Sequence, residues 1–234
     1  TFNPAVQTII SRKQDNDQTE TNLRWLRQNT QAHLHADLIV GLPGENLDSF
    51  AAGFNRLVAL DPHEIQVGIL KRLRGTPIIR HTAAFKLCFN PPPPYNLLYS
   101  GLLDFAVLRR LARFARYWDL IGNSGRFPHT RSLVLGADPF SRFMAFSDWL
   151  FTTTGQTHHL APDRLFDLLY HGLTEALPIS EPAVRVALTQ DFQHSGMKSC
   201  PKFLRSEEVA KVAGKTVQTV ANPPRQARHR RPER

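Results

Sequence analysis

His35-Ala36-Asp37-Leu38-Ile39-Val40-Gly41-Leu42-Pro43-Gly44-Glu45 is the stretch whose reading decides the fold. Leu38, Ile39 and Val40 make a short apolar run of strand character, and Gly41 to Gly44 form a glycine and proline turn. Residues 47–60 then read as an amphipathic helix, with Phe50, Phe54, Leu57 and Val58 at helical spacing. A strand running through such a turn into a helix is the βα step of an α/β fold, where ligands of nucleotide type bind at the carboxyl ends of parallel strands. Asp37 offers a carboxylate where the strand begins to emerge, and Gly41 and Gly44 take Cβ atoms out of an approaching ligand's way. The same pattern also describes a strand-turn-helix junction that binds nothing.

Working outward, a helix over residues 19–28 precedes this step, and a second strand over residues 64–70 follows Asp61-Pro62. Strands spaced by helices predict parallel βαβ units across residues 1–72. Residues 73–97 contain Pro91-Pro92-Pro93-Pro94 and predict an extended connection, because four prolines fit neither a helix nor a central strand. Residues 98–205 read as helical. A helix over 99–120 carries the stripe Leu103, Ala106, Val107, Leu111, Phe114, Ala115 and Trp118, with Arg109, Arg113 and Arg116 on another face. Another starts after Asp138-Pro139, where Asp138 is a natural cap, and two more span 163–175 and 181–193. Residues 206–234 predict a short helix and a disordered basic tail, whose five arginines from Arg225 on face Glu233 alone.

Composition bounds the function. Twenty-nine basic against 20 acidic residues give a net charge of +9, and the tail or the arginine faces could meet nucleic acid through phosphate contacts. More mundanely, both are solvated surfaces. No apolar run is long enough to cross a bilayer, so no membrane is expected and the cytoplasm is the default. Cys88 and Cys200 offer neither a disulfide framework nor zinc spacing, and His158-His159 has no companion ligand at metal-binding distance in the chain. No residue presents itself as a catalytic acid, base or nucleophile.

Two sets of residues carry a family resemblance. Thr1-Phe2-Asn3-Pro4-Ala5-Val6-Gln7-Thr8-Ile9-Ile10-Ser11-Arg12-Lys13-Gln14-Asp15, taken with the Asp37 strand, resembles the radical S-adenosylmethionine superfamily, with a core similar to the oxygen-independent coproporphyrinogen oxidase type. In that core an apolar helix leads to a Val/Ile-Asn/Ser-Arg-x-Gln step, and a strand Asp-Leu-Ile-x-Gly-Leu-Pro follows at a spacing similar to that from Arg12 to Asp37. Residues 66–77, Asp104-Phe105, Arg113-Phe114-Ala115-Arg116-Tyr117-Trp118-Asp119-Leu120 and Asn123-Ser124-Gly125 are similar to the carboxyl-terminal domain of a bacterial family of cobalamin-binding radical S-adenosylmethionine proteins. The resemblance covers residues 1–205 and leaves out the basic tail.

The resemblance implies an α/β fold class: the carboxyl-terminal part of a partial (β/α) radical barrel, followed by an all-helical domain and the tail. It implies that Arg12 and Asp37 contact S-adenosylmethionine, the arginine at a polar or anionic group and the aspartate accepting from hydroxyls. Ile39, Gly41 and Leu42 would lie along the adenine, with Leu70 and Lys71 at the ligand's edge. The intact enzyme would cleave S-adenosylmethionine at a 4Fe-4S cluster and begin radical chemistry on an unassigned substrate, with cobalamin as a further cofactor. The CxxxCxxC loop that holds the cluster in such enzymes is absent from this chain, so the expected object is a fragment inactive alone. The competing expectation is a non-enzymatic helical module that binds nucleic acid or a protein partner through its basic faces, with strong salt dependence. A decayed remnant with no activity is the third.

Overall fold

The computed structural model describes residues 1–205, and the tail expected over 206–234 lies outside the described residues. These residues form a helix-rich α/β protein that divides into two compact units, Thr1–Asp119 and the part from Leu120 on. No helix among them is long and apolar enough to cross a membrane.

The first unit opens with α1 (Pro4–Ile9) and α2 (Asn16–Asn29), started by the side chains of Asn3 and Asp15, which accept first-turn N–H groups. β1 (His35–Val40), α3 (Leu47–Ala59) and β2 (Glu64–Ile69) follow. The two strands pair in parallel, from His35 opposite Glu64 to Val40 opposite Ile69, a pairing that requires a crossover, and α3 supplies it. Alternate residues Leu34, Leu38 and Val40 are buried while His35 and Asp37 are exposed, the signature of a sheet covered on one face. Asn46 caps α3, and Phe50, Phe54 and Leu57 on its apolar side are buried.

Residues 73–97, expected as an extended connection, are folded. A 3-10 turn (Pro77–His81) precedes the antiparallel strands β3 (Cys88–Phe89) and β4 (Leu97–Tyr99). The four prolines occupy the loop between the strands, where no ladder N–H is required of them, and Asn90 N–H closes the loop onto the Asn96 carbonyl at 2.8 Å. The hairpin is fastened to the end of β2 by Leu97 N–H to the Leu70 carbonyl (2.8 Å) and Arg72 N–H to the Tyr95 carbonyl (3.0 Å). α4 (Phe105–Ile121) starts at Asp104, whose carboxylate accepts Val107 N–H at 2.7 Å. Phe114 and Trp118 of its buried stripe meet the Phe54 ring of α3 edge-on, at 5.0 and 4.9 Å. Most of α4 therefore belongs with the βαβ step, and the boundary between units falls within it rather than before it.

The second unit carries α5 (Pro128–Leu135), α6 (Pro139–Thr154), α7 (Pro162–Glu175) and α8 (Glu181–Ser195). α6 begins at the Asp138-Pro139 step, with Asp138 accepting Ser141 N–H, and Leu165, Leu168, Leu169 and Leu173 of α7 are buried as their spacing predicts. α7 crosses α6 at Gly172, where an added Cβ would stand 2.5 Å from Phe146 Cε2 and 2.8 Å from Trp149 Cζ3. α5 has too few turns for periodicity to announce it, and it is held from outside. Asp191 of α8, fully buried, accepts His129 N–H and Thr130 N–H at 2.8 Å each, while Arg142 of α6 donates to the Leu133 and Val134 carbonyls.

Candidate functional site

The parallel register decides which side chains meet on the less covered face of β1 and β2. Asp37 and Ile39 project there from β1, and on β2 Gln66 stands opposite Asp37 and Gly68 opposite Ile39. Asp37 stands opposite Gln66 with its side chain 62% exposed. His35 Nε2 lies 3.2 Å from Asp37 Oδ1 and 3.1 Å from Gln66 Oε1, so a proton on that nitrogen ties the carboxylate to the sheet. On the other side of the ring His35 Nδ1 lies 3.3 Å from Glu64 Oε2, and His33 Nε2 lies 3.4 Å from Glu64 Oε1. The Glu64 carboxylate thus stands beside both imidazoles, and His35, with one proton on its ring, donates either to Glu64 or to Asp37, spanning both carboxylates only as the imidazolium. Ile39 and Gly68, half exposed, continue this face as a flat apolar step: a Cβ on Gly68 would only touch Ile39 Cδ1, at 3.5 Å.

At the turn the face closes. Gly41 has φ +87°, open to glycine and strained for other residues, and a Cβ there would collide with Leu97 Cδ2 and approach Leu108 Cδ2 at 3.9 Å. Gly44, at φ +82°, is likewise packed against Ile9 and Phe85. The two glycines therefore admit side chains of β4, α4 and their neighbours. Leu42 and Leu70 are buried in the same packing, whereas Lys71 is exposed and its backbone bridges to Asn96. Arg12 is exposed in the bend after α1 and donates from Nε to Gln14 Oε1 at 2.7 Å. The structure thus brings Asp37 and Ile39 onto one face, with Gly41, Leu42 and Leu70 packed or buried beyond it, while Arg12 and Lys71 are exposed.

Glu45 escaped the choice of candidate residues, although it ends the decisive stretch. Its carboxyl is buried, with Oε1 accepting from Thr1 Oγ1 at 2.5 Å and Oε2 without a hydrogen-bond partner. Burial raises its pKa above the ordinary 4.5, against the smaller opposing effect of the Thr1 hydroxyl. A glutamate that follows a Gly-Leu-Pro-Gly turn into a helix start gave the only signal in the sequence. Among the described residues no group of three His, Cys, Asp or Glu side chains is placed to hold a metal ion, and Cys88 and Cys200 are each half-buried free thiols.

What this arrangement offers chemically is an oriented acceptor, Asp37, beside a short apolar step, closed at one end by packed side chains. Comparison with known proteins adds one match. The model of a family described as a protein of unknown function, DUF4080, matches residues 83–229. No curated protein matches the chain. Since the matched segment takes in more than half of its residues, the chain belongs to the DUF4080 family.

Proposed function

We propose that this member of the DUF4080 family serves a radical S-adenosylmethionine enzyme, with residues 1–72 as βα units of its barrel, followed in the chain by a helical domain. The observation that carries the reading is Asp37, oriented by His35, standing with Ile39 and Gly68 on the uncovered face of a parallel βαβ pair. Its support from the family is that DUF4080 sits in radical S-adenosylmethionine and cobalamin-binding proteins.

The roles of this chain's residues follow from their chemistry. Asp37 accepts hydrogen bonds from ligand hydroxyls, and a proton on His35 Nε2 holds its carboxylate in place. Ile39 supplies the apolar step for an adenine, with Gly41 and Leu42 shaping the turn from beneath. Arg12 is the donor for a polar or anionic group, and Leu70 and Lys71 stand at the edge. The described residues do not fit a 4Fe-4S cluster, since no set of side chains is placed to bind one, so its ligands are assigned elsewhere in the enzyme. S-Adenosylmethionine, with the cluster and cobalamin, supplies the radical and methyl chemistry when bound.

The test is equilibrium binding of S-adenosylmethionine to the intact enzyme before and after Asp37→Ala. Losing a charge-assisted hydrogen bond costs about 1.5–3 kcal/mol, so affinity should fall about 10- to 150-fold. An unchanged affinity refutes the role given to Asp37.

A further inference from the structure

The segment from Lys71 to Arg110 differs from the rest of the described residues in two ways. Seven lysines and arginines stand there against one acid, Asp104, and all seven are exposed. Five of the seven large apolar side chains left exposed among the described residues stand there too: Leu73, Ile79, Tyr99, Leu102 and Phe105, at 47% to 62% exposure. Backbone hydrogen bonds join the segments that carry them. Arg72 N–H reaches the Tyr95 carbonyl, Phe85 N–H the His81 carbonyl at 3.1 Å, and Gly101 N–H the Phe85 carbonyl at 2.9 Å. Phe105 opens α4, and the Arg109 guanidinium one turn on lies over its ring at 5.8 Å.

We propose that this surface docks on an anionic lipid membrane, its cations meeting headgroups and its aliphatic and aromatic tips entering the interface. The cations by themselves would suit any polyanion. The aliphatic tips decide the partner, because Leu73, Ile79 and Leu102 gain nothing from a phosphodiester backbone, whereas acyl chains take them out of water. A surface made for single-stranded nucleic acid relies on stacking aromatics along a cationic groove, and here the most exposed tips are branched aliphatics. Such docking is interfacial and needs no spanning helix. It goes beyond the radical chemistry and stands or falls separately from it.

The test is co-sedimentation of the full chain with vesicles of phosphatidylcholine alone or mixed with phosphatidylglycerol. The anionic vesicles should bind at least about tenfold more tightly, and added salt should weaken binding. The triple variant Leu73→Ser, Ile79→Ser, Leu102→Ser keeps every cation and the basic tail, and its binding should fall about tenfold or more. These side chains are exposed, so circular dichroism should show an unchanged fold; the charge reversal Lys86→Glu, Arg109→Glu should lose binding as well. Equal binding to both vesicles, or a triple variant that binds like the parent, overturns the proposal. So does retention of a single-stranded RNA oligonucleotide by parent and triple variant alike with no vesicle binding, which would assign the surface to nucleic acid.

Discussion

Asp191→Ala should destabilise the helical unit more than any surface change. α5 begins at Phe127, whose side chain makes no capping bond, so the N–H groups of its first turn depend on a group from another helix. Asp191 supplies it from α8, with one carboxylate oxygen on His129 N–H and the other on Thr130 N–H, both at 2.8 Å. Both bonds are charge-assisted and point along the positive end of a helix. At about 1.5–3 kcal/mol each, their loss amounts to about 3–6 kcal/mol, much of it the cost of a buried Thr130 N–H with no acceptor. A domain has about 5–15 kcal/mol to lose, so the variant should fold but unfold at distinctly lower denaturant. Asp191→Asn preserves the volume and one acceptor oxygen while turning an NH2 toward an N–H, and should cost about 1.5–3 kcal/mol. Urea unfolding followed by circular dichroism measures both, and hydrogen exchange should show the Thr130 amide losing protection in the alanine variant. If Asp191→Ala lies within about 1 kcal/mol of the parent, the capping role is refuted.

Two further substitutions test the packing and the electrostatics. Gly172→Ala should gain about 1 kcal/mol of helix propensity but force aside Phe146 and Trp149, whose ring atoms stand 2.5 and 2.8 Å from the new Cβ. With overpacking at about 1–3 kcal/mol the net is a lower melting temperature, and a rise would show that α6 and α7 meet more loosely than described. Glu45→Gln tests the raised pKa of that buried carboxyl. A carboxyl whose folded pKa lies above its unfolded value of 4.5 favours folding below 4.5, and that contribution is lost as pH rises through the folded pKa. The glutamine variant should therefore gain on the parent as pH rises from about 4 to 7, and a difference that stays constant with pH would mean the carboxyl titrates normally.

Where a structural choice depends on residues near in sequence, it could be read before any coordinates. The Asp138-Pro139 step and the apolar stripes of α3, α4 and α7 are of this kind, since a cap or a periodicity is complete within a few residues. The proline run was legible as a break but not as a hairpin loop, because the strands on either side are too short to show alternation and owe their places to β2.

Other choices were made only by the tertiary structure. The register that sets Gln66 and Glu64 around His35 depends on how two strands 29 residues apart pair, and no local pattern encodes it. The close approach that makes Gly41 and Gly172 necessary comes from Leu97 and from Phe146 and Trp149, and the cap of α5 comes from Asp191, 61 and 62 residues farther along the chain. Short-range hydrogen bonding and periodicity are properties of a segment and so belong to the sequence alone. Which side chain fills a given space, or satisfies a given N–H, is a property of the packed molecule, and for this protein that is where the surroundings of Asp37 were decided.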